Sequence, residues 1–145
     1  MLVQAILKSK AAEGVVTVKP DITVSEAAEI LAEKRIGTVV VSEDQGQTAI
    51  GILSERDIVR ELASSGSGCL DKPVSAYMTK DLITATQQDK VEAILSRMTE
   101  GRFRHMPVIE EGKLIGIVTL GDVVKAQLSE LAMEKDALEG MIMGH

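Results

Sequence analysis

Aromatic residues are almost absent from this chain of 145 residues. It has no tryptophan, one tyrosine (Tyr77) and one phenylalanine (Phe103), although 45% of its residues are hydrophobic. A chain of this length buries roughly two-thirds of its unfolded surface when it folds. We therefore expect one compact unit, or two small fused repeats, around a core of aliphatic residues and methionine.

Cysteine and histidine are also scarce. Cys69 is the single cysteine, which excludes an intramolecular disulfide and a multi-cysteine metal site. The two histidines, His105 and His145, show no metal-ligand spacing, and neither is close enough to Cys69 in sequence to suggest a nucleophilic pair. We expect a protein of the reducing cytoplasm that is not an enzyme and has no catalytic cofactor or metal.

Long apolar runs and an excess of basic residues are missing as well. No run approaches 18 apolar residues and the N-terminus does not have the pattern of a signal peptide, so we expect no membrane association. The formal net charge of −6 argues against sequence-independent nucleic-acid binding, which needs a broad basic surface. A local cluster of arginines around one phosphate is still compatible with this charge.

What the sequence does contain is one pattern written twice. GILSERD at 51–57 and GIVTLGD at 116–122 both read glycine, two aliphatic residues, a hydroxyl residue, two variable residues and aspartate. Upstream, an offset of 67 residues places Arg35 on Arg102, and two extra residues in the EDQGQ loop of the first copy reduce the offset to 65. Internal similarity of this kind indicates a repeat protein.

Each copy predicts the order strand, helix, strand, strand, helix. The β-rich runs GVVTVKP (14–20) and DLITATQ (81–87) predict the first strands. Apolar residues then recur at helical spacing from Val24 and from Val91, and two alternating runs with a polar turn predict a hairpin before the closing helix. The predicted capping boxes at the first helix of each copy are Thr23…Glu26 and Asp89…Glu92.

A single copy of about 60 residues would be marginally stable alone, so two copies are expected to share a core. We predict an α+β fold with a first repeat at 1–66, including a lead-in helix, and a second repeat at 67–135. The tail at 136–145 is either a fraying terminus or a continued helix whose methionine-rich end contacts a second subunit.

The chain resembles a tandem pair of CBS domains, the cystathionine beta-synthase type. The resemblance depends on the doubled motif, on YMTKDLITA (77–85), on RHMPVIEEGKLIGIVT (104–119) and on the repeat order. It implies two β-α-β-β-α repeats packed sheet to sheet as a pseudo-twofold pair with two clefts. It also implies a non-catalytic regulatory module for energy or redox sensing, usually a homodimer, that binds AMP, ADP, ATP, NAD(H) or S-adenosylmethionine and acts on a partner protein.

Two interpretations of the repeated motif stay open. Ser54 and Thr119 fit helix N-caps, with Asp57 and Asp122 in the first helical turn. The same positions fit a nucleotide site, because a helix N-terminus holds anions, and the resemblance implies that the aspartate binds ribose while the hydroxyl faces phosphate. With the resemblance we favour nucleotide binding, and the alternative is a structural or protein-interaction module with vestigial clefts.

The two clefts are expected to differ. Arg104 and His105 stand in the second copy where the first has Gly37 and Thr38, and they are either ligand contacts or part of a solvated basic loop. Arg56 has no counterpart, since glycine replaces it in the second motif. Thr17 and Thr84 lie near the ends of the first predicted strands. A position lining the cleft, which the resemblance implies, and ordinary β-propensity explain them equally well. The residues expected to bind nucleotide are Thr17, Gly37, Thr38, Val39, Ser54, Arg56, Asp57, Thr84, Arg104, His105, Met106, Pro107, Thr119 and Asp122.

Overall fold

Each repeat forms a small sheet flanked by helices. The structure is a computed structural model that describes residues 1–10 and 14–142. The first repeat consists of strand β1 (Thr17–Val18), helix α2 (Val24–Lys34), strands β2 (Thr38–Val41) and β3 (Gly51–Ser54), and helix α3 (Glu55–Ser65). The second repeat consists of helix α4 (Val91–Gly101), strands β4 (His105–Glu110) and β5 (Lys113–Thr119), and helix α5 (Leu120–Ile142). Helix α1 (Val3–Ser9) precedes both repeats, and two short 3-10 helices, Ser67–Asp71 and Val74–Ala76, connect them.

The predicted hairpins form in both repeats with equivalent register. In the first sheet β1 pairs parallel with β2, and β2 pairs antiparallel with β3 so that Thr38 lies opposite Ser54. In the second sheet β4 pairs antiparallel with β5, and His105 lies opposite Thr119. The hydroxyl residues of the two motifs therefore end equivalent strands.

The strand predicted at 81–87 is wrong except at one residue. Only Ala85 pairs, in a parallel bridge with Val108. In the first repeat the Val40 N–H donates to the Val16 carbonyl at 3.1 Å and extends the equivalent ladder. Pro107 replaces Val40 in the second repeat and has no N–H to donate, so the ladder stops there.

One of the two predicted capping boxes is also wrong. Helix α2 begins as expected, since the Glu26 N–H donates to Thr23 Oγ1 at 3.1 Å. Helix α4 has no side-chain cap, and the Asp89 carboxylate accepts instead from a backbone N–H three residues earlier. The Val91 N–H donates to the Met1 carbonyl at 3.0 Å. The start of this helix is thus completed by the lead-in segment.

Each repeat has its own aliphatic core, and each core includes the segment that precedes the other repeat. Val3 and Ile6 of α1 pack with the second-repeat residues around Ile94 and Met106. Val74, from the connection between the repeats, packs with the first-repeat residues around Leu53. This exchange ties the two halves together.

The second face of the first sheet is buried as well. All four residues of β2 are buried, and Val40, which lies outside the first-repeat core, is 1% exposed. At the edge of this face an ideal Cβ on Gly37 would lie 3.5 Å from Nε2 of His105 in the other repeat. The predicted α+β fold of two repeats is confirmed.

The closing helices bury less of their apolar surface than the spacing predicts. Ile58 of α3 and Val123 of α5 are buried, but Val59 is 64% exposed and Leu128 is 62% exposed. Helix α5 also continues to Ile142, 23 residues in all, whereas α3 has 11.

Candidate functional site

Two cavities lie between the repeats, and each combines the motif of one repeat with the loop before β2 or β4 of the other. The first cleft has a volume of 880 Å³ and joins the Ser54–Asp57 turn to Arg102, Phe103 and Arg104. The second cleft has a volume of 660 Å³ and joins Thr119 and Asp122 to residues 34–36. The residues that line both clefts are Gly37, Thr38, His105 and Thr119.

In the first cleft the motif forms a reciprocal cap on α3. The Asp57 N–H donates to Ser54 Oγ at 3.2 Å, and the Ser54 N–H donates to Asp57 Oδ2 at 2.9 Å. Asp57 Oδ1 lies 3.8 Å from the Arg60 guanidinium, whose side chain is 74% exposed. The capping interpretation is therefore confirmed for Ser54. The cap uses one carboxylate oxygen and leaves the other near an exposed, solvent-screened arginine.

The first cleft is cationic within an acidic protein. Arg56, Arg60, Arg102, Arg104 and Lys125 line it, against three acidic residues. The whole chain carries a formal net charge of −6. A surplus of cations beside a helix N-terminus favours an anionic ligand over a neutral one.

The lining of the first cleft also includes apolar residues. Among them are Phe103 and Ile83, and Ile83 is 50% exposed. The Phe103 ring lies against Gly101, in the space that the Cβ of a larger residue would need. Aliphatic and aromatic side chains that line a cavity provide a surface for a flat apolar group. The cleft thus suits a ligand with one flat apolar end and one anionic end.

The second cleft has the same cap geometry but a different occupant at its aspartate. The Asp122 N–H donates to Thr119 Oγ1 at 3.1 Å, and the Thr119 N–H donates to Asp122 Oδ2 at 2.9 Å. Lys10, at the end of α1, donates to the same Oδ2 at 2.7 Å and to the Ile117 carbonyl at 3.0 Å. The ammonium group therefore shares the capping oxygen Oδ2, next to the carboxylate oxygen that the cap does not use.

The electrostatics of Asp122 agree with this ion pair. Burial by itself would raise the pKa of the Asp122 carboxyl. Hydrogen bonds from Lys10 and from the Thr119 backbone, together with the charge of Lys10, outweigh burial and lower that pKa below its usual value. Both side chains are mostly buried, at 18% and 25% exposure, so solvent screens the pair only partly.

The wall shared by the two clefts contains the equivalent residues Thr38 and His105. Thr38 is 7% exposed, and its Oγ1 has no hydrogen-bond partner among the residues that the structure describes. Burial lowers the pKa of His105, aided by Lys10 and Arg104 and opposed by nearby carboxylates. His105 is therefore favoured as a neutral imidazole, able to donate from one nitrogen and accept at the other.

Five of the residues expected from the resemblance lie elsewhere. Val39 and Met106 are fully buried in the two cores, and Pro107 is buried within β4. Thr17 lies against the turn at Gly46, and Thr84 is exposed. The described linings of the two clefts do not include these five residues. The other nine expected residues line one cleft or both.

Several lining residues are not among those expected to bind nucleotide, notably Lys10, Phe103 and the pair Arg35 and Arg102. Both arginines end their helices in the left-handed conformation, each with φ of 55°. Arg35 lines the second cleft and Arg102 the first. Left-handed backbone in a non-glycine residue costs energy and concentrates at functional positions. The alignment of Arg35 with Arg102 in the repeat was the signal for this pair.

Other kinds of site find no support in the described part of the chain. Within residues 1–10 and 14–142, no group of three or more histidine, cysteine or acidic side chains is placed to hold a metal ion. None of the helices described there is long and apolar enough to cross a membrane.

The fold and the clefts define a protein of two α+β repeats with a ligand-sized cavity on each side of their interface. The family model of the CBS domain matches residues 9–64 and 74–129, and the chain belongs to this family. CBS pairs are generally regulatory and non-catalytic modules.

Related proteins share most of the chain. An uncharacterized 17.7 kDa protein of Acidianus ambivalens is 39% identical over 121 residues, which are 83% of this chain and 71% of that protein. The crystal structure of a CBS-domain protein from Agrobacterium tumefaciens is 42% identical and covers 88% of this chain and 99% of its own, with a TM-score of 0.82.

Two similar structures contain adenosine compounds. A CBS domain protein from Pyrobaculum aerophilum, complexed with AMP, is 28% identical with a TM-score of 0.77 and covers 92% of this chain and 99% of its own. The CBS domain pair of protein MJ0100, complexed with 5′-methylthioadenosine and S-adenosyl-L-methionine, is 26% identical with a TM-score of 0.76 and covers 90% of this chain and 98% of its own.

Proposed function

We propose that this chain is a regulatory module that binds an adenine nucleotide in its first cleft and acts on a partner protein without catalysing a reaction. The observation that carries the proposal is the composition of that cleft. It combines a helix N-terminus with a hydroxyl and a carboxylate, a surplus of arginines and an apolar wall in one cavity of 880 Å³. An adenine nucleotide has a flat base, a ribose diol and a phosphate, which match these three surfaces.

The arrangement suggests a role for each side chain. Asp57 Oδ1 accepts from the ribose hydroxyls once the exposed Arg60 side chain moves aside. Ser54 and Arg56 face the phosphate, because both lie at the positive end of α3. Phe103 and Ile83 cover the base. The AMP complex of a similar protein supports AMP as the first ligand to test, followed by ADP, ATP, NAD(H) and S-adenosylmethionine.

The two clefts are proposed to bind unequally, for a reason that differs from the one expected. The sequence suggested that Arg56 strengthens the first cleft. Lys10 donates to the Asp122 carboxylate in the second cleft, and we propose that it competes there with ribose. The first cleft is therefore the tighter site, and the second binds only a ligand that displaces or uses Lys10.

We further propose that the module is a cytoplasmic homodimer. The exposed apolar residues on α3 and α5 support self-association, and the single cysteine fits a reducing compartment. Light scattering after size exclusion tests the dimer, and a monomer mass at tens of micromolar protein would reject it.

Calorimetry with AMP tests nucleotide binding. The protein must first be shown to be nucleotide-free by absorbance, since a bound ligand would mask the titration. Binding to the folded state alone also raises stability, by about 2.7 kcal/mol at a hundredfold excess of ligand over Kd. If none of the adenosine compounds binds or shifts the melting temperature, the proposal fails and the interaction module with vestigial clefts is favoured.

A matched pair of variants separates binding from capping. Asp57→Asn weakens the cap of α3 and removes the acceptor charge for ribose, so AMP affinity should fall with stability. Thr23→Ala removes a cap of the same kind on α2, outside the described linings of both clefts, and should cost about 1 kcal/mol of stability with unchanged AMP affinity. Equal affinities for AMP in the two variants would contradict the role given to Asp57.

A further inference from the structure

Helix α5 carries a line of side chains with the spacing of a coiled coil. The intervals along this line alternate between four and three residues over 19 residues. This is the a and d pattern by which two helices pack. We name this line the α5 seam, and it consists of Val124, Leu128, Leu131, Lys135, Leu138 and Ile142.

The protein's own core does not cover the seam. The buried residues of α5 are Val123 and Ala126, which face the second-repeat core. On the seam, Leu131 is 50% exposed, Leu138 57% and Ile142 77%. The CBS family model ends at residue 129, so the second half of the seam lies beyond the region that defines the family.

We infer that the α5 seam is the surface on which a second copy of this chain docks, with the two α5 helices antiparallel. The inference deepens the proposed homodimer, and the seam adjoins the first cleft, whose lining includes Val124 and Leu128. Since the first half of α5 packs against α4 and the core, the helix is already formed before it meets its partner. Association therefore avoids the cost of helix nucleation.

The charges favour the antiparallel arrangement. A parallel pair would place Lys135 against Lys135 in the core of the seam, and Glu134 against Glu139 at its edge. An antiparallel pair centred near residue 133 brings Lys135 to Leu131 of the second copy, with Glu134 of that copy beside it. The same register pairs Leu128 with Leu138, and it brings Lys125 near Glu139 at both ends.

The apolar ends of the seam also match in this register. Val124 lies opposite Ile142 of the second copy, so every apolar seam position meets another seam position. At a rise of about 1.5 Å per residue, the paired region is about 28 Å long. This length is under three heptads, so we expect a dimer that dissociates on dilution.

Two substitutions two residues apart test the seam. Leu131→Lys places a positive charge against Lys135 of the second copy, whereas Met133→Lys places the same charge on the opposite side of the helix at similar exposure, 55% against 50%. By sedimentation equilibrium, Leu131→Lys should weaken the dimer roughly tenfold or more, an effect of about 1.4 kcal/mol or more. Met133→Lys should leave the dimer unchanged. Circular dichroism shows whether both variants keep their helix content.

The outcomes separate this inference from the proposed function. If the wild-type chain is a dimer and Leu131→Lys remains one with the same dissociation constant, the seam is overturned while the homodimer stands. If the wild-type chain is a monomer, both are overturned. Nucleotide binding is tested by AMP calorimetry on the wild-type chain, because Val124 and Leu128 of the seam also line the first cleft.

Crosslinking tests the orientation. In a Cys69→Ser background, Ala132→Cys places a thiol at the edge of the seam beside the twofold axis of the antiparallel pair, and it should form an intermolecular disulfide under mild oxidation. Leu138→Cys would face its own counterpart only in a parallel pair. Crosslinking of the second variant without the first would overturn the antiparallel arrangement.

Discussion

Replacing Lys10 with methionine should open the second cleft to nucleotide. In the native protein the Lys10 ammonium donates to Asp122 Oδ2 at 2.7 Å and to the Ile117 carbonyl at 3.0 Å. A ribose diol that uses Oδ2 of Asp122 must break the first of these contacts. Methionine keeps the unbranched, apolar length of the side chain and removes both hydrogen bonds and the charge.

The size of the effect follows from the burial of the pair. Hydrogen bonds to charged groups contribute about 1.5–3 kcal/mol when they are protected from water, and exposed ion pairs contribute about 0–1 kcal/mol. Lys10 and Asp122 are 18% and 25% exposed, between these limits, so breaking the pair costs about 1–2 kcal/mol. Removing this competition should tighten the second binding event roughly 5–30-fold.

Isothermal titration calorimetry with AMP measures this change. The wild-type protein should show one tight event and a weak or undetectable second one, and Lys10→Met should show two. Lys8→Met is the matched control, since Lys8 lies in the same helix and is exposed. The control should titrate like the wild type.

The opposite change in binding would contradict competition by Lys10. If Lys10→Met loses a second binding event that the wild-type protein shows, Lys10 contacts the ligand and does not compete with it. The stability of the variant supplies a second check. The low pKa of Asp122 stabilises the fold above about pH 4 and loses this effect as pH falls through the native pKa. Lys10→Met should therefore flatten the acid limb of the stability curve.

Three further predictions concern the clefts and their supports. Arg56→Ala should weaken AMP binding by about 1.5–3 kcal/mol and reduce its salt dependence. Arg97→Ala, outside the described linings, should leave AMP affinity unchanged, and equal losses of AMP affinity in the two variants would make Arg56 a solvated surface residue. Burial lowers the pKa of His105, so His105 should make the free energy of unfolding fall as pH drops below about 6.5. His105→Asn should remove this pH dependence in urea titrations between pH 5 and 8, and an unchanged pH dependence would assign it to other groups. Gly51→Ala brings a methyl group within 3.1 Å of a backbone carbonyl oxygen and should lower stability, and with it the melting temperature, by about 1–3 kcal/mol of unfolding free energy. Gly68→Ala, in open space, should shift the melting temperature little, and similar shifts in both variants would show that Gly51 has room for a methyl group.

Local patterns in the sequence predicted the repeat and most of its elements. Hairpins and helices depend on hydrogen bonds and side-chain spacings between near neighbours, so both hairpins and the α2 cap appear where the pattern places them. The Ser54…Asp57 cap was predicted for the same reason, since its partners are three residues apart. Local spacing did not predict the shortened ladder at Pro107. Its missing N–H matters only because of a pairing segment that lies more than 20 residues away in the sequence.

Local sequence patterns were therefore enough to predict two α+β repeats. They also placed a hydroxyl residue and an aspartate at the start of the closing helix of each repeat. The packing of the two repeats determines that the two carboxylates have different cationic partners, the exposed Arg60 at Asp57 and the mostly buried Lys10 at Asp122. Lys10 reaches Asp122 from 112 residues away, because the lead-in helix packs on the second repeat and not on the one it precedes. Which side chains meet across a cleft depends on how the two repeats pack against each other, and spacing within one repeat carries no information about that.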